Sequence, residues 1–376
     1  MNELPIAARI VARRRALADH LRASGAIRSD LLYEAFAAVS RHLFVPVIYR
    51  ARNGRLTPHR LADGDVSALD LVYRDNTLVT RVDDAGRPVS SSTAPSVMAF
   101  MLEALALRPG LRVLEIGCGT GYNAAVMHKA TGCEVVTIDP RPAQVAQARL
   151  ALEHHGLTGV TCLVADGYDG VPDGGLFDRI IATCAVAGIP PAWIDRCAGG
   201  ARLVAPLAHG GIDMLVRADI GADTVTARPI GGAGYFIIAQ GPLYPAAERP
   251  RLEPFGEPHI VSAAPVPGYR NGYHDMWFAA AVADSRVTSV FLAGNDSALG
   301  QCGLADADSA AVLRTDGSVA AAGASALVLA ELGVRLATDW VAAGRPRARS
   351  WHTTLRPHPN AAQPLLIADR WRRGPA

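Results

Sequence analysis

The feature that most constrains the fold is a glycine-rich turn between a short apolar strand and a helix. The turn spans Gly117–Gly121 and carries a glycine at every second position. Glycine permits a tight turn and lets the backbone approach a bound ligand closely. The next strand ends at Asp139, eighteen residues past the last glycine. A carboxylate at that point can accept both hydroxyls of a ribose, so the sequence predicts a nucleoside-binding site.

Strand-like and helical segments alternate on both sides of this turn. Such alternation predicts a parallel sheet with helices on both faces, which is a Rossmann-like α/β fold. After Leu207, three strand-like segments without intervening helices predict antiparallel strands that close the sheet. The strand-like segments are 112–117, 134–139, 160–166, 177–183 and 201–207, followed by 213–220, 224–230 and 234–241.

Composition along the chain predicts four regions. Helical spacing over 6–40 precedes a polar stretch at 50–92, which is expected to be a long connection with short strands. A third helix is expected from Pro95 to Leu107. A Pro-rich stretch marks a boundary, and helical patterns near 275–284 and 323–343 lie beyond it. The predicted regions are 1–92, N-terminal helices and a connection; 93–241, the α/β core; 242–268, a linker; and 269–376, a smaller α+β accessory domain and candidate for substrate binding.

Composition also excludes several classes of protein. Half of the residues are hydrophobic and 19% are charged, which excludes a disordered chain. The 37 basic and 35 acidic residues give a net charge of +2, so nothing predicts a nucleic-acid or membrane-surface binder. The six cysteines form no CxxC pair and no long apolar run occurs, so we expect reduced thiols, no metal site and no membrane span. The N-terminus lacks the pattern of a secretion signal, and we expect a cytoplasmic protein.

The glycine turn is part of a longer motif. The string Glu115-Ile116-Gly117-Cys118-Gly119-Thr120-Gly121-Tyr122 resembles the nucleoside-binding motif of class I S-adenosyl-L-methionine-dependent methyltransferases. The resemblance implies the methyltransferase version of the Rossmann-like fold, with S-adenosyl-L-methionine as cofactor. It also places the adenine near Asp166-Gly167, although this pair can instead be only a turn. The residues expected to bind the cofactor are Glu115, Gly117, Gly119, Gly121, Tyr122, Asp139, Asp166 and Gly167.

Further motifs narrow the resemblance to one family of these enzymes. Together they resemble the protein-L-isoaspartate O-methyltransferase family over about residues 20–240. This resemblance implies methylation of a carboxyl group on a peptide or protein that carries an Asp or isoaspartyl residue. The motifs are Arg41–Pro46, Ser92–Pro95, Gly121-Tyr122, Phe177–Ile181 and Gly200–Pro206.

Methyl transfer to a carboxylate needs little acid–base chemistry. A carboxyl group with a pKa of about 4 is already ionised at neutral pH, so no general base is required. The protein must align the reactants and hold the acceptor, and a helix N-terminus with a nearby hydroxyl suits that task. Thr93 is therefore the predicted catalytic residue, and it binds substrate together with Ser92 and Ser96. The alternative for Thr93 is a helix N-cap, and a structural role is favoured for Arg41 and His42.

Two departures from the family pattern bear on the substrate. Thr93 stands where serine is usual and Ser96 where histidine is frequent, which narrows the acceptor pocket and changes its polarity. The second departure is an extension over about 245–376, which a simple repair enzyme does not need. The extension contains residues of kinds common at binding surfaces, which can equally form the core of a small domain. They are Tyr269, Arg270, Tyr273, Trp277, Phe278, Trp340 and Trp351.

These departures are similar to a branch found with actinobacterial peptide-maturation systems, and Thr315–Ala321 and Ala342–Arg349 resemble the C-terminal domain of that branch. The first hypothesis is therefore esterification of an aspartate side chain in a ribosomally made peptide, such as a graspetide or lanthipeptide. The ester would lead to aspartimide or isoaspartate. The alternatives are repair of isoaspartyl residues in damaged proteins and a non-catalytic binding module that keeps the fold.

Overall fold

The computed structural model describes residues 5–52, 55–61, 66–172, 175–245, 254–262, 272–293, 301–314, 316–359 and 364–374. Its packing divides the chain into two compact units that alternate along the sequence. The first comprises Met1–Cys184, Pro190–Ala205 and Asp219–Asp223, and the second comprises Ala185–Ile189, Pro206–Ala218 and Thr224–Ala376. This division differs from the predicted regions, because the second unit begins inside the predicted core and not at a boundary near residue 242.

The first unit begins with helices and a small antiparallel sheet. The elements are α1 (Ile6–Ala23), α2 (Asp30–Ala38), β1 (Val47–Arg52), β2 (Arg55–Arg60), α3 (Val66–Val72), β3 (Leu78–Val82), β4 (Pro88–Ser92) and α4 (Pro95–Leu105). Helix α2 starts at Asp30, because the hydroxyl of the preceding Ser29 accepts a hydrogen bond from the Leu32 N–H. The sheet has the order β2-β1-β3-β4 and fills much of the stretch predicted as a polar connection.

The rest of the first unit is built on the predicted parallel sheet. Its elements are β5 (Arg112–Ile116), α5 (Tyr122–Thr131), β6 (Glu134–Asp139), α6 (Pro142–His154), β7 (Val160–Val164), β8 (Phe177–Ala182), α7 (Pro191–Ile194) and β9 (Cys197–His209). The strand order is β9-β8-β5-β6-β7, and neighbouring strands are parallel. The chain moves outward from β5 to β7 and returns to β8 on the other side of β5. This reversal creates a crevice at the carboxyl ends of β5 and β8, the usual position of a ligand in such sheets.

The described residues of the second unit form strands and helices, the α+β composition that is predicted for 269–376. Its elements are β10 (Ile212–Ile220), β11 (Val225–Gly234), β12 (His259–Ser262), α8 (Tyr273–Ala283), β13 (Val287–Val290), β14 (Gln301–Ala305), β15 (Ala310–Leu313), β16 (Val319–Ala322), α9 (Ala326–Ala342), β17 (Trp351–Pro357), β18 (Leu366–Ala368) and β19 (Arg372–Arg373). One sheet contains β18-β17-β11-β10, with β19 beside β17, and a second has the order β12-β16-β15-β14-β13.

Aromatic side chains of the extension form part of the core of this unit. Trp277, Phe278 and Trp340 are buried, and the Phe278 ring lies 5.9 Å from that of Trp351 and 5.1 Å from that of Trp371. These contacts favour the core interpretation of those residues over a binding surface. Tyr269 and Arg270, which the sequence groups with them, lie outside the described residues.

The predicted strand at 234–241 is wrong apart from a single bridge between Ile238 and Ala185. The backbone there is satisfied by scattered partners: the Phe236 N–H bonds to an Asp213 carboxylate oxygen at 2.8 Å, and the Ala239 N–H to the Ala185 carbonyl at 2.9 Å. The predicted strands before it are present as β10 and β11. Among the described residues, no helix has the length and apolar character that crossing a membrane requires.

Candidate active site

The glycine turn lies at the carboxyl end of β5, beside the crevice. Gly117, Gly119 and Gly121 have φ angles of +93°, +49° and +84°, which side chains other than glycine rarely adopt. The N–H groups of Gly117 and Cys118 both donate to the Ile138 carbonyl of β6. A Cβ atom at Gly117 would lie 2.7 Å from the Thr183 hydroxyl at the end of β8. Glycine is therefore needed here for both backbone conformation and space.

Helix α6 supports the turn from one side. A Cβ atom at Gly121 would lie 3.2 Å from the Ala148 Cβ, and the side-chain amide of Gln144 donates a hydrogen bond to the Gly119 carbonyl. Gln144 is buried, and its amide oxygen has no hydrogen-bond partner among the described residues. The contribution of Gln144 to the turn could not be predicted from the sequence, because a single glutamine in a helical pattern carries no local signal.

Glu115 and Tyr122, both predicted to bind the cofactor, are buried inside the first unit. The Glu115 carboxylate accepts hydrogen bonds from the Thr137 hydroxyl at 2.6 Å and the Asn123 amide at 2.7 Å, and burial raises its pKa to about 7. The Tyr122 ring packs 6.3 Å from that of Phe36 and is 1% exposed. This geometry favours support of the turn over direct contact with a ligand.

Asp139, the residue predicted to bind ribose, lies at the carboxyl end of β6. Its Oδ1 atom accepts hydrogen bonds from the N–H of Arg141 at 3.1 Å and from the Nε of Arg141 at 3.2 Å. No hydrogen bond within the described parts of the chain reaches its Oδ2 atom. One carboxylate oxygen is therefore held by the chain, and the second remains for a hydroxyl donor.

Asp166 and Gly167 follow β7 and form a turn. The Asp166 side chain is exposed and accepts the Tyr168 N–H at 2.9 Å, while the Gly167 carbonyl accepts the indole N–H of Trp193 at 2.6 Å. A turn of this kind was the alternative interpretation of the Asp-Gly pair. The exposed carboxylate nevertheless lies at the sheet edge that carries Asp139, since β6 and β7 are parallel neighbours.

The segment that carries Thr93 lies beside the glycine turn. A Cβ atom at Gly119 would lie 3.5 Å from the Ser91 carbonyl, so Thr93, two residues further on, is brought near the predicted cofactor site. Thr93 is not the N-cap of α4, because Ala94 occupies that position without a side-chain bond. The Thr93 hydroxyl makes no hydrogen bond to any described residue and is available to a ligand.

The N-terminus of α4, predicted to hold the acceptor carboxylate, already carries a carboxylate of the chain. Asp75 accepts the Ser96 N–H at 2.8 Å, and the Thr77 hydroxyl oxygen accepts the Ala94 N–H at 3.2 Å. Ser96 itself is half-buried. The role of Asp75 could not be predicted from the sequence, because it lies 21 residues from Ser96 and only the fold brings the two residues together.

Ser92, the third predicted substrate-binding residue, is held by Arg41. Its hydroxyl accepts hydrogen bonds at 3.2 Å from both Nε and Nη2 of Arg41, and the side chain is 3% exposed. Arg41 also bonds the Ser92 and Thr93 carbonyls at 3.1 and 3.0 Å. These hydrogen bonds agree with the structural role that the sequence favours for Arg41. They also fix the position of the Ser92 side chain.

These residues fit S-adenosyl-L-methionine as a ligand. The partly exposed backbone at Gly117 and Gly119 has no side chain to fill the space above it, and the free oxygen of Asp139 matches a ribose hydroxyl. Among the described residues, no group of three or more His, Cys, Asp or Glu side chains is arranged to hold a metal ion. The glycine turn, the acidic end of β6 and the switch point together have the arrangement of a nucleoside-binding site in an α/β protein, as the resemblance to S-adenosyl-L-methionine-dependent methyltransferases implies.

Comparison with known proteins identifies the family. The family model described as protein-L-isoaspartate(D-aspartate) O-methyltransferase matches residues 12–238. The chain therefore belongs to this family of enzymes, as the motifs predicted, and its cofactor is S-adenosyl-L-methionine.

Two relatives agree with this assignment, and one solved structure shares the fold. The chain is 34% identical over 231 residues to the protein-L-isoaspartate O-methyltransferase of Methylorubrum populi, covering 61% of this chain and 96% of the relative. It is 35% identical over 197 residues to that of Ignicoccus hospitalis, covering 52% and 82%. A solved structure titled protein-L-isoaspartate O-methyltransferase shares the fold with a TM-score of 0.54 at 23% identity, over 95% of this chain and 99% of that one.

Proposed function

We propose that the protein methylates the free carboxylate of isoaspartyl residues in peptides or proteins. The observation that carries the proposal is the position of the Thr93 segment beside the glycine turn, through the approach of the Ser91 carbonyl to Gly119. This proximity supports a role at the predicted cofactor site for the Thr93 hydroxyl, which has no hydrogen-bond partner among the described residues of this family member. Proximity of donor and acceptor is the main requirement of a methyl transfer that needs no general base.

The contacts of the chain's own residues support a role for each of them. The backbone of Gly117–Gly121 would form the floor of the cofactor site, the Asp139 oxygen that is unbonded among the described residues would accept ribose hydroxyls, and Asp166 with Gly167 would border the adenine. The Glu115 carboxylate holds Thr137 and Asn123 beneath the turn. The transferred methyl group comes from the sulfonium centre of S-adenosyl-L-methionine.

Thr93 holds the acceptor in this mechanism. Its hydroxyl donates a hydrogen bond to one oxygen of the acceptor carboxylate and leaves the second oxygen to form the new bond to carbon. The N-terminus of α4 contributes less than the sequence predicts, because Asp75 already accepts the Ser96 N–H. Binding of the acceptor carboxylate therefore depends more on the Thr93 hydroxyl than on the N-terminus of α4.

A second candidate is methylation of an aspartate side chain in a ribosomally made peptide. Thr93 in the place of serine favours it, since the additional methyl group narrows the acceptor site. The C-terminal extension is the other argument for this candidate, but it does not distinguish aspartate methylation in a ribosomally made peptide from methylation of isoaspartyl residues. A structure titled as the isoaspartate enzyme matches 95% of this chain in fold, which includes most of the extension.

Mass spectrometry of a matched pair of linear peptides tests the proposal, one peptide containing Asp and the other isoaspartate at the same position. We expect methylation of the isoaspartyl peptide only. Methylation of neither peptide, with S-adenosyl-L-homocysteine still binding, contradicts the proposal and supports a dedicated modified peptide as substrate.

The role of Thr93 is tested with Thr93→Val and Thr93→Ser. Valine keeps the shape and removes the hydroxyl, so we expect kcat/KM to fall about tenfold or more, while serine keeps most of the activity. Thr80→Val is the matched control, because the Thr80 hydroxyl bonds to Ser90 and not to a ligand. Equal activity of Thr93→Val and wild type would remove Thr93 from the mechanism.

A further inference from the structure

The guanidinium of Arg41 is fully buried and has no ion-pair partner among the residues that the structure describes. The residue is 0% exposed, and all seven of its hydrogen bonds go to uncharged oxygens. The acceptors are the carbonyls of Val72, Arg74, Asn76, Ser92 and Thr93 and the Ser92 hydroxyl, at 3.0–3.2 Å. No carboxylate of the described residues lies within ion-pair distance of it.

A buried charge without a partner charge is unfavourable, because removal from water costs several kcal/mol that carbonyl dipoles only partly offset. Burial lowers the pKa of Arg41 to about 10, so the group remains cationic at neutral pH. The acidic group that acts on it through space is Asp75, whose carboxylate bonds to the Ser96 N–H. The positive charge is thus left largely uncompensated inside the first unit.

The position of this charge relates it to the predicted acceptor site. Nη2 of Arg41 donates a hydrogen bond at 3.0 Å to the carbonyl oxygen of Thr93, so the charge is bonded to the backbone of the residue whose hydroxyl is predicted to hold the acceptor. A cation in a poorly solvated position interacts strongly with an anion a few ångströms away. The methyl acceptor is an anion, and its carboxylate would add a negative charge close to Arg41, with which Asp75 interacts only through space and without an ion pair.

We propose that Arg41 is a positioning residue that selects an ionised carboxylate as the methyl acceptor, by holding the Thr93 backbone and by providing an uncompensated positive charge beside it. The inference rests on the proposed carboxyl methylation and adds the basis of its selectivity. Arg41 acts through the Thr93 segment and its field and does not contact the reacting atoms. A purely structural cross-link would hold the same segment without distinguishing a charged from a neutral acceptor.

The test measures binding of two isoaspartyl peptides to the full chain saturated with S-adenosyl-L-homocysteine. One peptide carries the free acceptor carboxylate and the other a carboxamide in its place. The variants are Arg41→Met, which removes the charge, and Arg41→Lys, which keeps it but cannot reach all the carbonyls. Arg179→Met is the matched control, because Arg179 is also a buried arginine that bonds to carbonyls, those of Leu105 and Asp178 at 2.7 Å.

We expect wild type, Arg41→Lys and Arg179→Met to bind the carboxylate peptide at least about tenfold more tightly than the carboxamide, and Arg41→Met to lose that preference. Affinity for S-adenosyl-L-homocysteine should change less than threefold in every variant that folds. A retained preference in Arg41→Met overturns the inference. Should Arg41→Met fail to fold, Arg41→Lys decides: a folded lysine variant without the preference shows that charge is not the operative property.

Failure of the proposed function gives a different result. Wild type would then show no preference between the two peptides and no methylation of the carboxylate form. A wild type that methylates and discriminates, together with an Arg41→Met variant that does the same, removes the inference alone and leaves the proposed function intact.

Discussion

At the scale of single residues, glycines with similar backbone angles have different roles. Gly117 and Gly132 both have positive φ, at +93° and +66°. A Cβ atom at Gly117 would meet the Thr183 hydroxyl at 2.7 Å, whereas one at Gly132 would meet nothing within 4 Å. A side chain introduced at either position would therefore be strained by the backbone angle. Only a side chain at Gly117 would also clash with a neighbouring residue at the predicted cofactor site.

We expect Gly117→Ala to weaken S-adenosyl-L-homocysteine binding at least about tenfold, because the new methyl group forces the turn or Thr183 to move. Gly132→Ala should keep wild-type affinity and lose only about 1 kcal/mol of unfolding free energy. Calorimetric titration with thermal unfolding measures both quantities. Equal cofactor affinity in the two variants would show that the turn does not form the binding site.

Asp213 gives a residue-scale prediction about pH. Burial raises the pKa of its carboxyl in the folded state to about 7, above the value of about 4 expected in the unfolded chain. Between these values the folded state binds more protons than the unfolded state, so this group makes stability fall as pH rises from about 4 to 7, by up to about 1.4 kcal/mol per pH unit. Above pH 7 the penalty stays constant.

Asp213→Asn removes this titration and retains an acceptor for the Phe236 N–H. The difference in unfolding free energy between wild type and variant should therefore move in favour of the variant as pH increases from 5 to 8, as measured by urea unfolding across that range. Glu115, whose pKa is also raised to about 7, titrates in the same direction in both proteins and cancels in the comparison. A difference independent of pH would mean that Asp213 is not buried as described.

Which residues the sequence could predict depended on how local their signal was. The glycines and Asp139 follow from a contiguous motif whose backbone geometry is set within a few residues. Tyr122 and Glu115 belong to the same motif, but their side chains point into the interior, a direction that only the packing of α2 and β6 determines. Arg41 bonds to carbonyls up to 52 residues away, a partnership without any local pattern.

At the scale of elements, helix α4 depends on a cap that is distant in sequence. Asp75 accepts the Ser96 N–H and places a negative charge at the positive end of the helix dipole. Asp75→Ala should lower the free energy of unfolding by about 1 kcal/mol. Asp70→Ala is the control, because Asp70 makes a half-exposed ion pair with Arg13 at 2.6 Å. Exposed ion pairs contribute little to the free energy of unfolding. Thermal unfolding compares the two, and equal effects would contradict the capping role.

Elements of the parallel sheet were predictable because each strand is a short apolar run between turn residues. The segment 234–241 has the same appearance, yet it pairs with Ala185 only at one bridge. Apolar character there reflects burial, and burial alone does not specify a ladder of backbone hydrogen bonds. The stretch at 50–92 is predicted as a connection with short strands, and short strands are present there. Their bounds could not be predicted, because β1 and β2 are exposed on both faces over much of their length and lack the alternation that marks a strand.

At the scale of the whole molecule, the second unit is assembled from segments far apart in sequence. Thr226 of β11 pairs with Thr354 of β17, and Ile189 exchanges backbone hydrogen bonds with Leu366. The Pro-rich stretch suggested a boundary near residue 242 because composition changes there. A change in composition does not show that residues before and after position 242 pack together in the second unit.

This organisation predicts the result of truncation after Pro245. The truncated chain would lose the partner strand of β11, the Leu366 pairing of Ile189 and the aromatic contacts of His209 with Phe278 and Trp371. An unpaired strand edge and newly exposed apolar side chains favour aggregation, so we expect an insoluble or non-cooperatively unfolding product. Co-expression of residues 254–376 as a separate chain should restore solubility. A soluble, monomeric truncated chain with wild-type cofactor affinity would show that the extension is dispensable, and only then would its activity test whether the extension recognises the substrate.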